Sequence, residues 1–266
     1  MSARLRNIAR ETVEAVERGH YTAPDGRRVE IAADVAAAVA GTRLYLPGDD
    51  LPGAPDGPAR RPHVEVTGES TLEAARRLGG DVAALVFASA RNPGGGFLTG
   101  AQAQEESLAR ASALYASLTS AREFYTAHRA DPDLRYSDRV IRSPRVPVFR
   151  DDRGAWLNDP YPVTFLTAAA PNAGAVRRSQ PRQAATIPEV LLARARRVLD
   201  IAEASGDRRL VLGAWGCGVF QNVPAEVAAA FAQALAGRTG VEQVTFAIHE
   251  TRKGAPTLEA FRRALG

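Results

Sequence analysis

Apolar positions along the chain mark an opening helix and then a long alternation of strand and helix signatures. Over residues 2–19, Leu5, Ile8, Ala9, Val13 and Val16 recur at helical spacing, which predicts an amphipathic helix with one face to bury. A strand near Val29–Ile31, an alanine-rich helix near 33–40 and a strand over Arg43–Leu46 follow. The stretch from Pro47 to Pro62 is rich in proline and glycine and reads as a loop or linker. Residues 1–60 are therefore expected to form an N-terminal appendage packed on a main domain spanning 61–266.

From His63 the pattern changes character. His63–Thr67 reads as a strand, and Ser70-Thr71-Leu72-Glu73 is a capping box that starts a helix. Ala83–Ala88 is continuously apolar, as a strand buried on both faces requires. A glycine-rich loop and a long helix from about Gln102 to Leu118 are expected next. Residues 120–160 should hold a further helix and two strand pieces, near Val140 and over Val146–Phe149. Val163–Thr167 reads as another buried strand, and Pro171 to Pro188 as a polar loop carrying Arg177, Arg178 and Arg182. Helix 188–204, strand 209–213, a second glycine-rich turn, helix 224–236, strand 241–248 and helix 257–265 complete the series. This alternation predicts an α/β fold, a mostly parallel sheet covered by helices on both faces.

Composition narrows the chemistry only a little. The 266 residues are 45% hydrophobic and 24% charged, as in an ordinary globular protein. Cys217 stands alone, which excludes an internal disulfide and a multi-cysteine zinc site, and the four histidines lack metal-ligand spacing. The net charge of +4 is a faint basic balance, carried by arginine, with Lys253 the one lysine. The longest apolar run, Val82 to Ala90, is too short to cross a membrane, and residues 1–20 lack the apolar core of a signal peptide. A cytoplasmic protein without membrane partners is the expectation.

Two glycine loops carry the functional signal. The first, Arg91 to Gly100 with Gly94-Gly95-Gly96 inside it, follows a buried strand and precedes a helix. Ligands in such sheets bind beyond the carboxyl ends of strands, where glycine backbones bring N–H groups close to an anion. Gln104-Glu105-Glu106 comes after a gap of seven residues. Adjacent helical residues point about 100° apart, so the two carboxylates should serve different ends, one holding substrate and one moving a proton. Acidic residues in a first helical turn also have a plain structural use, complementing the helix dipole. The second loop, Gly213 to Asn222, again separates a buried strand from a helix. Two such cradles at neighbouring strand ends would suit a diphosphate joining two riboses. Cys217 has no base nearby in sequence and reads as a small packing residue; Trp215 reads as core. Phe220 suits a sugar or base face and a core position equally.

Asn92-Pro93-Gly94-Gly95-Gly96 followed by Gln104-Glu105-Glu106 resembles the glycine-triplet and Gln-Glu-Glu signature of poly(ADP-ribose) glycohydrolases. Gly213 to Asn222 is similar to the diphosphate loop of macrodomains, and the compact length is similar to the bacterial-type glycohydrolases. The resemblance covers about residues 63–250 and implies a macrodomain-like three-layer α/β/α sandwich with a mixed, mostly parallel sheet. It implies Glu106 as catalytic acid, with a raised pKa, and Glu105 on ribose hydroxyls. It implies substrate contacts from Asn92, Gly94, Gly95, Gly96, Gln104, Gly216, Gly218, Val219 and Phe220. Glu69 lies where macrodomains place an adenine-facing acid. Neither cofactor nor metal is implied.

The activity this resemblance implies is hydrolysis of ribose–ribose O-glycosidic bonds, releasing ADP-ribose from chain ends of poly(ADP-ribose) or of ADP-ribosylated proteins. Two other readings stay open: an ADP-ribose-binding module without turnover, and a mono-ADP-ribosyl hydrolase. Sequence-specific nucleic acid is not an expected partner.

Overall fold

The computed structural model describes residues 2–51 and 61–266. Much of the expected Pro47–Pro62 loop, residues 52–60, thus lies outside the described residues. The chain opens with α1 (Ala3–Arg18), capped by Ser2, whose hydroxyl accepts the Leu5 N–H. A hairpin of β1 (His20–Thr22) and β2 (Arg28–Glu30) leads into α2 (Ala32–Gly41) and β3 (Arg43–Tyr45). Next come β4 (His63–Thr67), α3 (Thr71–Leu78) and β5 (Ala83–Phe87). Both hydrogen bonds of the expected capping box form at the start of α3: Ser70 Oγ accepts from Glu73 N, and the Glu73 carboxylate accepts from Ser70 N.

Three helices, α4 (Gln104–Ala111), α5 (Leu114–Ser120) and α6 (Arg122–Ala130), precede the long strands β6 (Val140–Arg150) and β7 (Trp156–Ala168). The single helix expected over 102–118 is broken between α4 and α5. There Ser112 turns extended and bridges to Val148, while the Ala113 N–H donates to the Pro147 carbonyl. The Ser112 hydroxyl donates to Leu108 O and accepts from Leu114 N, so one side chain finishes one helix and begins the next. The two strand pieces expected near Val140 and Val146 are one strand, kinked by a register shift at a bulge where Arg145 takes φ 47°.

The chain ends with α7 (Ala173–Ser179), α8 (Ile187–Ala204), β8 (Arg209–Leu212), α9 (Pro224–Leu235), β9 (Gln243–Ala247) and α10 (Pro256–Leu265). The polar loop expected from Pro171 to Pro188 is instead α7 and a short 3-10 stretch (Pro181–Thr186). Asn172 caps α7 by accepting the Ala175 N–H, and Ala173 and Val176 are buried beneath the exposed arginines Arg177 and Arg178.

Seven strands form one sheet in the order β3-β6-β7-β5-β8-β9-β4. Five neighbours from β7 to β4 run parallel; β6 is antiparallel to both β7 and β3. Along β5, Ala83 and Leu85 join one apolar cluster with α8, α9 and α10, while Ala84 and Val86 join another with α2 to α6. Alternation across the pleat therefore builds the expected α/β/α sandwich around β5. The chain leaves β5 toward β7 on one side and returns through β8 on the other, so β5 and β8 form a switch point whose carboxyl ends open on a crevice.

Residues before the linker pack on the main domain at several places, among them Tyr21, whose hydroxyl donates to Leu157 O on β7. β3 forms the antiparallel edge of the sheet, and α1 packs its Ala9 against Phe97 and Ala109. Thr12 Oγ1 on α1 donates to Arg110 O, a 2.7 Å tie to α4.

Candidate active site

Both glycine loops leave adjacent strands, because β5 and β8 are hydrogen-bonded neighbours. They meet over a cleft of about 840 Å³, within the usual size of small-molecule sites. Asn92, Gly95, Gly96, Glu105 and Glu106 line one wall, and Gly216, Cys217, Gly218, Val219 and Phe220 another.

The Gln-Glu-Glu run at the start of α4 sends its three side chains in different directions. Gln104 turns back to the sheet: its Oε1 accepts Phe87 N–H at 2.9 Å, and its Nε2 donates to Leu85 O and Thr71 Oγ1. The amide thereby seals the end of β5 and fixes where α4 begins. Glu105 points inward and is 2% exposed. Its Oε2 accepts the Ser89 N–H at 2.6 Å, while Oε1 is buried without a partner. Glu106 is half-buried at the cleft wall, with Oε1 accepting the Gly96 N–H at 2.9 Å.

Gly94 and Gly95 both take left-handed backbone angles, φ 67° and 59°. A Cβ on Gly95 would lie 2.3 Å from Glu106 Oε1, so the loop can wrap the carboxylate only as glycine. Gly96 is the residue whose N–H holds Glu106. The fully buried Phe97 ring anchors the loop against Tyr115 at 4.9 Å. Asn92 is exposed at the rim, its backbone N–H donating to Ser89 Oγ.

Trp215 fixes the second loop: fully buried, it donates from Nε1 to Ala168 O at 3.0 Å. Asn222 Nδ2 donates to Pro171 O, closing the loop's far end. Gly218 has open space around its Cα and Val219 is 82% exposed, so this segment stands free over the cleft. Phe220 is half-buried beside the Tyr136 ring at 5.9 Å. Burial pushes the Cys217 thiol up to about 12, helped by Glu250, which keeps it un-ionised.

Burial pushes Glu105 well above the usual carboxylate range, and the Glu106 charge adds to this. A folded state that holds this proton more tightly than the unfolded chain is favoured below the ordinary carboxyl value near 4.5. That contribution is lost as pH rises toward the folded value. Glu105→Gln, which stays neutral, should therefore gain stability over the parent as pH rises above about 4.5, by up to about 1.4 kcal/mol per pH unit. Melting curves of both proteins across that range check this; a constant gap would contradict it.

Glu69 does not face the cleft. Its carboxylate is held by Arg77 through Nε and a terminal nitrogen, both at 2.8 Å. The acids lining that wall are Glu73 and Asp152; Asp152 Oδ2 accepts the Ser70 hydroxyl at 2.7 Å, and desolvation raises its pKa. In sequence Asp152 sits in an Asp-Asp-Arg-Gly turn between two strands, which carries no sign of a site. Among the described residues, no group of three or more His, Cys, Asp or Glu is placed to hold a metal ion, and no helix is long and apolar enough to cross a membrane.

Layering, switch-point cleft and twin glycine loops together define a macrodomain-like α/β protein built to take a nucleotide-sized ligand. Residues 9–151 match the family described as "Microbial-type PARG, catalytic domain". The crystal structure of poly(ADP-ribose) glycohydrolase from Thermomonospora curvata is similar at 51% identity and TM-score 0.92, over 99% of this chain and 100% of that one. The same enzyme bound to the inhibitor ADP-HPD gives 51% and 0.89, over 98% and 99%. Poly(ADP-ribose) glycohydrolase from Deinococcus radiodurans in complex with ADP-ribose gives 49% and 0.82, over 89% and 98%. No curated protein sequence matches the chain. The chain belongs to the microbial-type poly(ADP-ribose) glycohydrolase family.

Proposed function

We propose that this protein is a poly(ADP-ribose) glycohydrolase that hydrolyses ribose–ribose O-glycosidic bonds at chain ends and releases ADP-ribose, with Glu106 as its general acid and base. The observation that carries this reading is the Glu106 carboxylate on the cleft wall, fixed by the Gly96 N–H through Oε1. A module that only binds an anionic ligand gains nothing from a carboxylate there. The ligands of the similar structures, ADP-ribose and ADP-HPD, suit a cleft of this kind.

With Oε1 held, Oε2 of Glu106 is the oxygen that meets substrate. Protonated, it donates to the departing 2′-oxygen as the ribose gains oxocarbenium character. Ionised, it then takes a proton from the attacking water. One carboxyl serving both steps needs no second nucleophilic carboxylate. Glu105 supports the ribose through its unpartnered Oε1. The diphosphate rests on backbone N–H groups of Gly216, Gly218 and Val219, with Phe220 against the distal ribose, and Gly94 and Asn92 close the near side. Gln104 acts by holding α4 in place.

We read residues 1–60 as an appendage whose α1 braces the glycine loop, residues 61–266 as the catalytic domain, and the free Cys217 thiol as suited to the reducing cytoplasm. Incubation with poly(ADP-ribose), followed by chromatography of the products, tests the activity. ADP-ribose should accumulate; tight binding of ADP-ribose with intact polymer would favour the binding module instead.

A further inference from the structure

A second, smaller cleft of about 160 Å³ adjoins the first and shares Gln102, Ser107 and Asp152 with it. Arg4, Arg110 and Arg153 converge on it from α1, α4 and the β6–β7 turn. Arg110 is 6% exposed, yet its guanidinium reaches only neutral oxygens, Ala101 O at 2.6 Å and Ser107 Oγ at 3.4 Å. Arg4 donates to the Arg153 carbonyl. Among the described residues none of the three arginines is ion-paired, whereas buried Arg150 and Arg194 each hold a carboxylate. A buried cation without a partner is costly, and fold stability alone gives no reason to keep it.

Two carboxylates share this cleft. Asp151 Oδ1 is occupied by the N–H groups of Arg153 and Ala155, and Asp152 by the Ser70 hydroxyl. Asp152 is exposed to solvent, which screens its charge from an anion held by the three arginines. Position matters as much as charge. Arg110 lies four residues beyond Glu106 on the same helix face, about 6 Å along the axis. The oxygen that leaves at Glu106 belongs to the next unit of the polymer, and that unit carries its own diphosphate a few bonds away.

We propose that the cleft formed by Arg4, Arg110 and Arg153 is a subsite for the diphosphate of the ADP-ribose unit on the leaving side of the scissile bond. This rests on the glycohydrolase reading of the main cleft. It makes the enzyme prefer a terminal ADP-ribose attached to a further unit over free ADP-ribose, which would limit inhibition by its own product. Guanidinium pairs suit a phosphate geometrically as well as electrostatically.

Binding of free ADP-ribose and of an ADP-ribose dimer, measured on Glu106→Gln protein by calorimetry, tests the subsite. Arg4→Gln and Arg153→Gln together change two exposed side chains and leave buried Arg110 in place. The dimer should bind more tightly than the monomer, and the double change should weaken the dimer about tenfold while leaving the monomer unchanged. An unchanged dimer, or equal losses for both ligands, would overturn the subsite while the main cleft keeps its assignment. Absence of monomer binding before the arginines are changed would overturn the main-cleft reading, and the subsite with it.

Discussion

Glutamine in place of Glu106 should slow ADP-ribose release about a thousandfold and leave affinity for ADP-ribose nearly unchanged. The size follows from the double use of one group, since acid and base roles each contribute on the order of a hundredfold or more. Retained affinity follows from geometry. A glutamine Oε1 can still accept the 2.9 Å hydrogen bond from Gly96 N–H, so the loop keeps its shape. The amide is isosteric but neither gives up a proton to a leaving oxygen nor takes one from water. Single-turnover release from polymer and calorimetric titration with ADP-ribose separate the two effects. Loss of binding in parallel with turnover would mean that the carboxylate serves loop structure. Full turnover would move the acid elsewhere, and Glu105 and Asp152, two acids of the cleft lining with a raised pKa, would be the carboxyls to change next.

Local chemistry made much of this legible in advance. The Ser70–Glu73 box and the apolar Ala83–Ala88 run are written in adjacent residues, and both form, the strand ending at Phe87. The two glycine loops were visible as breaks after buried strands, and their meeting follows from β5 and β8 being neighbours. What escaped depends on partners distant in sequence. The break at Ser112 exists because β6 offers it a bridge at Val148. Helix α7 was hidden by its brevity and exposed arginines, since its apolar side reduces to Ala173, Gly174 and Val176. Periodicity could say that Glu105 and Glu106 diverge; only the surrounding packing decides which of them is buried, and it buries Glu105. The partner of Glu69 was hidden for the same reason, because Arg77, eight residues on, claims its carboxylate.

Gly95→Ala should cost about a hundredfold in turnover, through the position of Glu106 and not its chemistry. The added methyl would fall 2.3 Å from Glu106 Oε1, 2.9 Å from its Cδ and 3.2 Å from Glu105 Oε2. Glu105 is packed on all sides at 2% exposure and cannot retreat. The adjustment therefore falls on Glu106, which must leave its bond with Gly96 and move by about 1 Å, a displacement that can cost about a hundredfold in rate. Backbone strain comes in addition, because φ 59° suits glycine and costs alanine about 1 kcal/mol. Gly48→Ala separates the two causes. Gly48 also sits at positive φ, 82°, but in an exposed turn with nothing within 4 Å of its would-be Cβ. It should lose a similar increment of stability by chemical denaturation and keep full activity. Equal activity in both variants would show that the triplet's tight approach to Glu106 is incidental to catalysis. Loss confined to Gly95→Ala would mean that the glycine exists to let the backbone close on the catalytic carboxylate.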